Sequence, residues 1–364
     1  VFVAWRDLRF ARGRFVLIGS VVALITLLVG FLAGLTGGLA AQNISAVLGL
    51  PGDRLVLQQP SSGQPSFGES TIGREARVGW QTAAGVDEVV PVGIVQGRAD
   101  AGAASAVGVA LFGLPAAASG AGAGAGTVAA LAPDRDDEVG LSAAAASDLG
   151  VGVGDRVTIT GTTYRVASVG GDAWYSHTPV LAMTPDAWAA ADRRLGGDGA
   201  PTVLAVSGSP DWDAVAARTH TSAASHLGSL TALETFRSEV GSLALMIAML
   251  FGVSALVVGA FFTVWTMQRA GDVAVLKALG ASTRSLVRDA LGQALVVLVV
   301  GIGVGTAAVV GLGALAGGAL PFLLSPLTTL VPAVAMAALG LAGAAVALRT
   351  VTAADPLTAL GSNR

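Results

Sequence analysis

Glu239 stands at the head of a segment, residues 240–268, that carries no charged side chain, and far earlier in the chain Tyr175 and His177 lie two apart in a Trp-Tyr-Ser-His stretch. Carboxylate, phenol and imidazole are oxygen and nitrogen donors that can hold a transition-metal centre or carry a proton. On a helix, Glu239 shares a face with Ser242, Leu243 and Met246. One turn below the carboxylate that surface is apolar, the mouth of a slot. Glu234 is a second carboxylate at the same threshold, beside Arg237. Two other readings of these residues stand alongside. An acidic group at the start of a helix is favoured by the helix dipole, and a charge at the end of a membrane span reaches water. Trp174, Tyr175 and His177 together would also serve as an interfacial aromatic anchor. His220 and His226 have no partner at metal-site spacing.

The composition sets the medium in which such a site must work. Of 364 residues, 53% are hydrophobic and 12% charged, with a mean hydropathy of +0.71. These values belong to a membrane protein. A net charge of -3 gives no sign of a nucleic-acid partner. The absence of cysteine excludes disulfides, thiolate metal sites and cysteine nucleophiles. No G-x-x-x-x-G-K-[ST] occurs, so the chain does not cradle a nucleotide through a P-loop. The Gly-rich stretches at 120–126 and 301–307 are low complexity and membrane span respectively.

Charge-free runs of about 20 residues or more mark membrane helices. The pattern predicts an integral membrane α-helical protein with four transmembrane helices, at 15–41, 238–268, 290–316 and 327–348. Residues 1–14 form a cytoplasmic amphipathic segment, 269–289 a cytoplasmic coupling helix or loop, 317–326 an outer Gly- and Pro-containing hairpin, and 349–364 a cytoplasmic tail. The N-terminal apolar run is too long for the h-region of a signal peptide. Arg6, Arg9, Arg12, Arg14, Arg269, Lys277, Arg284, Arg288, Arg349 and Arg364 all fall on one side of this arrangement, which makes that side, with both termini, cytoplasmic. Between the first two spans, residues 42–237 hold eleven basic and nineteen acidic residues and are too long for a loop. They read as an extracytoplasmic α+β domain, with strands near 54–58, 89–97, 106–114, 155–161, 164–170 and 202–208 and helices near 142–150 and 211–219. Gly30, Gly34 and Gly38 on the first span, and Ala244, Ala248 and Gly252 on the second, place small residues every fourth position. That spacing suits a tight helix–helix seam, including one across a homodimer.

The stretch 267–295 resembles the connector of FtsX-like, MacB-type ABC transporter permeases. Their pattern R-x-x-E-[IV]-x-x-L-[KR]-A-[LIM]-G-A-[ST] is met in order by Arg269, Asp272, Leu276, Lys277, Gly280 and Ser282, with Asp272 in place of the family's Glu. One helix, a large outer domain and three further helices complete the likeness. "WYSHTPVLAM" (174–183) and 238–268 resemble segments of the HrtB-type haem-efflux permeases within that family. The resemblance implies a permease of the bacterial plasma membrane that is not itself an enzyme. It would work as a homodimer in lipid with two copies of an ATPase subunit, which binds ATP and Mg and meets the connector. It further implies haem as transported ligand rather than cofactor, with Tyr175 and Glu239 as the residues that take it. A carboxylate is a hard anionic oxygen suited to ferric iron, alongside the usual Tyr, His and Met donors; His177, Glu234 and Met246 complete the candidate set. A signalling permease that controls an outer cell-wall hydrolase, or an exporter of lipid, lipoprotein or peptide, would share the same frame.

Overall fold

A computed structural model describes residues 12–102, 106–116, 128–268, 271, 275, 282–316 and 320–352. The chain divides into two compact units, one of Leu39–Gly241 and one of Val1–Gly38 with Ser242–Arg364.

The outer unit is organised by one long strand, β2 (Val86–Asp100). Its first half pairs with β9 (Val203–Gly208), which continues the sheet to β1 (Arg54–Gln58) and β10 (Thr221–Ala224). Its second half pairs with β3 (Val107–Gly113), and the path runs on through β8 (Thr178–Met183), β4 (Glu138–Leu141), β6 (Thr162–Val169) and β5 (Arg156–Ile159). Ala99 of β2 pairs Ile159 of β5, which closes these six strands into a barrel without a free edge.

β3 and β8 are buried on both faces. Leu111 and Met183 point into the barrel core, while Phe112 and Ala182 point into a second core. A strand covered on both sides reads as a continuous apolar run, and "AVGVALFGL" does. The paired glycines Gly93 and Gly113 leave a flat bed for Trp188, whose indole fills the space a Cβ would need. Trp188 belongs to α5 (Pro185–Arg194), capped by Thr184. The expected helix near 142–150 is α4 (Ala143–Leu149), with Ser142 accepting from Ala145 N and Gly150 left-handed at φ 66°. The one near 211–219 is α6 (Trp212–Thr219), capped by Asp211. Earlier in the chain lie α2 (Arg74–Gln81) and α3 (Val128–Leu131).

Four helices are long and apolar enough to cross a bilayer, as expected. They are α1 (Arg12–Leu48), α8 (Glu234–Gln268), α9 (Thr283–Ala316) and α10 (Pro326–Thr352), with the short α7 (His226–Ser229) preceding α8. All four start or end beyond their charge-free runs. At the outer end of α1, Ala46 and Val47 join Leu230 and Leu233 in the second core of the outer unit, and that burial carries the helix on to Leu48. At the start of α9, Ser282 accepts a hydrogen bond from Ser285 N at 3.3 Å, so helix begins seven residues before the expected 290.

The small-residue stripe of α1 is used within the chain. Gly30 faces Val309 of α9 and Gly34 faces the ring of Phe322, while Gly38 lies against the Pro321 carbonyl. Residues 320–325 fold back on α1, with Leu323 N donating to Gly34 O at 3.0 Å and the Phe31 and Phe322 rings 5.0 Å apart. These glycines therefore admit the chain's own loop, which occupies the surface a second copy would need. The stripe on α8 is different. Ala244, Ala248 and Gly252 are exposed, and the apolar window of α8 is only 11% buried against 22–33% for the other three helices.

A Cβ at residue 38 would overlap a backbone carbonyl, which cannot step aside as a side-chain tip does. Gly38→Ala is expected to destabilise the membrane unit by at least about 1–3 kcal/mol. Gly311→Ala, with nothing near its added methyl, should be neutral or stabilising by up to about 1 kcal/mol. Thermal unfolding in detergent, run on both, checks the contrast.

Candidate functional site

The Trp-Tyr-Ser-His stretch forms the tip of a hairpin. β7 (Trp174–Tyr175) pairs antiparallel with β8, and Ser176 and His177 make the two-residue turn. Both have left-handed backbones, φ 46° and 63°. A two-residue turn of this hand suits the twist of the strands but favours Asn-Gly. Side chains bearing a Cβ pay about 1–2 kcal/mol each there, so the turn must be held. Ser176 N donates to Asn43 O at 3.1 Å and His177 N to Gln42 O at 3.0 Å. Trp174 N donates to Ser45 Oγ at 2.9 Å, and Thr178 Oγ1 to Tyr175 O at 2.6 Å. The outer end of α1 thus fixes the hairpin tip and aims the His177 ring.

That ring meets Glu239. His177 Nε2 lies 2.9 Å from Oε2 and 3.0 Å from Oε1, so it donates to both carboxylate oxygens. Asn43 Nδ2 donates to Oε2 at 3.3 Å. The two ionisable side chains are about one-third exposed, 31% and 39%, whereas Asn43 is 1% exposed. Among the described residues no third His, Cys, Asp or Glu joins them. A pair of donors at a half-open surface suits a centre whose remaining coordination positions are filled by its own ligand.

Tyr175 is placed differently from its neighbour. Its ring stands edge-on to Phe67 and Phe112, at centroid distances of 6.4 and 5.6 Å. It is 7% exposed. Burial pushes its phenol well above the ordinary tyrosine range, and the group stays protonated at neutral pH. Its hydroxyl has no hydrogen-bond partner among the described residues, and the residue lines a cavity of about 430 Å³ together with Phe67, Ile94, Leu233, Glu234 and Thr235. The structure therefore brings Glu239 and His177 together and sets Tyr175 and Glu234 on this neighbouring cavity. Ser242 and Met246 are exposed on the following turns of α8, and Leu243 is half-buried. His226 Nε2 lies 3.0 Å from Leu50 O, and His220 ends α6 in a left-handed conformation. In the 134–138 run, Arg135 pairs with Asp137 and lowers its carboxyl, on a fully solvated surface. Arg269, Asp272, Leu276, Lys277 and Gly280 lie outside the described residues; Ser282 is the helix cap described above.

Sequence reasoning missed Asn43, Thr235 and Ser176. The only signal for Asn43 is a polar Gln-Asn pair at the end of an apolar run. That alone does not say which distant carboxylate it meets.

Residues 244–356 match the family described as FtsX-like permease C-terminal. Over 99% of both chains, the sequence is 24% identical to a Staphylococcus haemolyticus protein named as the hemin transport system permease HrtB. An uncharacterized ABC transporter permease of Mycobacterium bovis is 33% identical over 35% of this chain and 36% of its own. Among solved structures, the periplasmic region of MacB from Actinobacillus actinomycetemcomitans covers 50% of this chain and 92% of its own, at 10% identity and a TM-score of 0.33.

With its ring buried and its hydroxyl unpaired, Tyr175 contributes to stability through packing. Tyr175→Ala is expected to cost about 3–5 kcal/mol, and Tyr175→Phe less than about 1 kcal/mol. Thermal unfolding of the two variants in detergent compares them; equal losses would show that the hydroxyl has a partner.

Proposed function

We propose that this chain, an FtsX-like ABC transporter permease with four membrane helices, exports haem from the bacterial plasma membrane using ATP hydrolysed by a separate subunit. The observation that carries the cargo is the Glu239–His177 pair at the head of α8, in a sequence similar over its full length to a protein named as a hemin permease. A porphyrin supplies four nitrogens to its iron and asks the protein only for axial donors. One carboxylate donor meets that need at one face of the ring, where a bare transition metal would want more. Glu239 offers an anionic oxygen for ferric iron. His177 holds the carboxylate in the empty state and yields it when cargo arrives. Below Glu239, Ser242, Leu243 and Met246 continue the same helix, offering apolar and thioether surface to the ring edge.

The uncovered apolar face of α8, with Ala244, Ala248 and Gly252 on it, is the surface for lipid or a second copy, and the working unit is a homodimer. Both termini and residues 269–289 face the cytoplasm, where Arg269, Asp272, Leu276, Lys277, Gly280 and Ser282 meet the ATPase. Closure of two ATPase subunits moves this segment and, through α8 and α9, compresses the cargo site so that haem leaves outward. Tyr175 belongs to the outer-domain wall of the route.

Titration of haem into the purified protein in detergent, followed by the Soret band, tests the cargo. The parent should show a saturable shift, and Glu239→Ala should weaken it by more than about 100-fold, beyond what an outer partner costs. A saturable shift that survives in Glu239→Ala would return Glu239 to an interfacial charge. No shift in the parent would move the cargo to lipid or peptide.

A further inference from the structure

The buried amide of Asn43 is the least expected member of the site. It sits on α1 at 1% exposure, and both ends of its side chain are engaged. Oδ1 accepts from Thr235 Oγ1 at 2.9 Å, and Nδ2 donates to Glu239 Oε2 at 3.3 Å. An amide can be turned over, exchanging its oxygen and nitrogen. Here the reversed orientation would set a carbonyl oxygen against a carboxylate. The carboxylate decides against it, because it only accepts: Nδ2 must face Glu239, and Oδ1 then takes the proton of the Thr235 hydroxyl. That proton is the only one Thr235 has, so Ser176 Oγ, 3.2 Å away, must donate to Thr235 Oγ1. The result is a one-way chain, Ser176 to Thr235 to Asn43 to Glu239. It starts on the same turn that aims His177 at both oxygens of the carboxylate.

We infer that Asn43 is a positioning residue for Glu239, and that Thr235 holds it in the orientation the carboxylate requires. The inference rests on the reading of Glu239 as a cargo ligand. When His177 yields, the Asn43 N–H still holds Oε2, so that one oxygen stays anchored while Oε1 is free to bind. Outer partners of this kind raise the affinity of a ligating group for its metal by orienting it. The role also explains a buried polar residue at the outer end of an apolar helix, where an unpaired amide would be costly.

Haem titration of four variants tests this. Asn43→Ala should raise the haem Kd by about 10- to 100-fold. Thr235→Val keeps the shape of an exposed residue and removes only its hydroxyl, so it cuts the relay at the donor to Asn43 Oδ1 while the amide itself remains. It should weaken haem and move the Soret maximum, while Thr235→Ser should restore both. The double variant Asn43→Ala/Thr235→Val should bind no more weakly than Asn43→Ala, since both changes cut one chain. Parent-like binding in Thr235→Val, or additive losses in the double variant, would overturn the inference. If Glu239→Ala itself binds haem as the parent does, the cargo reading fails and the positioning role fails with it. Loss in Glu239→Ala beside parent-like Thr235→Val removes the positioning role alone.

Discussion

The arrangement around Glu239 depends on a hairpin turn that would not hold its shape alone. Ser176 and His177 both occupy left-handed backbone conformations that glycine would adopt more cheaply. The compensation comes from the outer end of α1, whose carbonyls at Gln42 and Asn43 take the two turn N–H groups. Strain held by surrounding structure is a mark of sites that must present a side chain in one direction. Here the side chain presented is the His177 ring, and its target is a carboxylate on α8. Turn, α1 and α8 thereby share one small polar cluster, and Asn43 touches all three.

The outer domain supports that cluster by rigidity. The barrel closes on itself, and β3 and β8 serve two cores at once, so the hairpin that continues from β8 is anchored on both faces of the sheet. Tyr175 belongs to this anchoring. Its ring is wedged between Phe67 and Phe112 immediately before the turn, and its burial keeps the phenol neutral. The packed tyrosine adjoins the turn, and only Ser176 separates it from the imidazole that reaches the carboxylate. Alternation along a strand and its turn gives neighbouring side chains these opposite tasks.

In the membrane unit the same economy of small residues has two outcomes. On α1, glycines at every fourth position let residues 320–325 and α9 approach until no side chain fits between them. On α8 the equivalent stripe faces outward with its large apolar neighbours Leu245, Met249 and Val253 exposed. Without water to drive helices together, close packing and satisfied polar groups decide association in a bilayer. The first stripe has found its partner within the chain; the second has surface to offer another helix.

The sequence by itself determined the number of membrane helices, the inserted α+β domain, most of its strands and the prominence of Glu239. These follow from local quantities: charge-free length, alternation, and capping residues such as Ser142 and Asp211. β4, at the end of an acidic run, and β10, made of small residues, were not legible because their burial comes from neighbours distant in the chain. The pairing of His177 with Glu239, the inward turn of Tyr175, the use of the α1 glycines within the chain and the hydrogen bonds of Asn43 were decided only by tertiary structure. Each is a contact between segments separated by many residues, or the choice of a face at a turn. Local pattern records which side chains want burial or a partner, and only the folded chain decides which partner arrives.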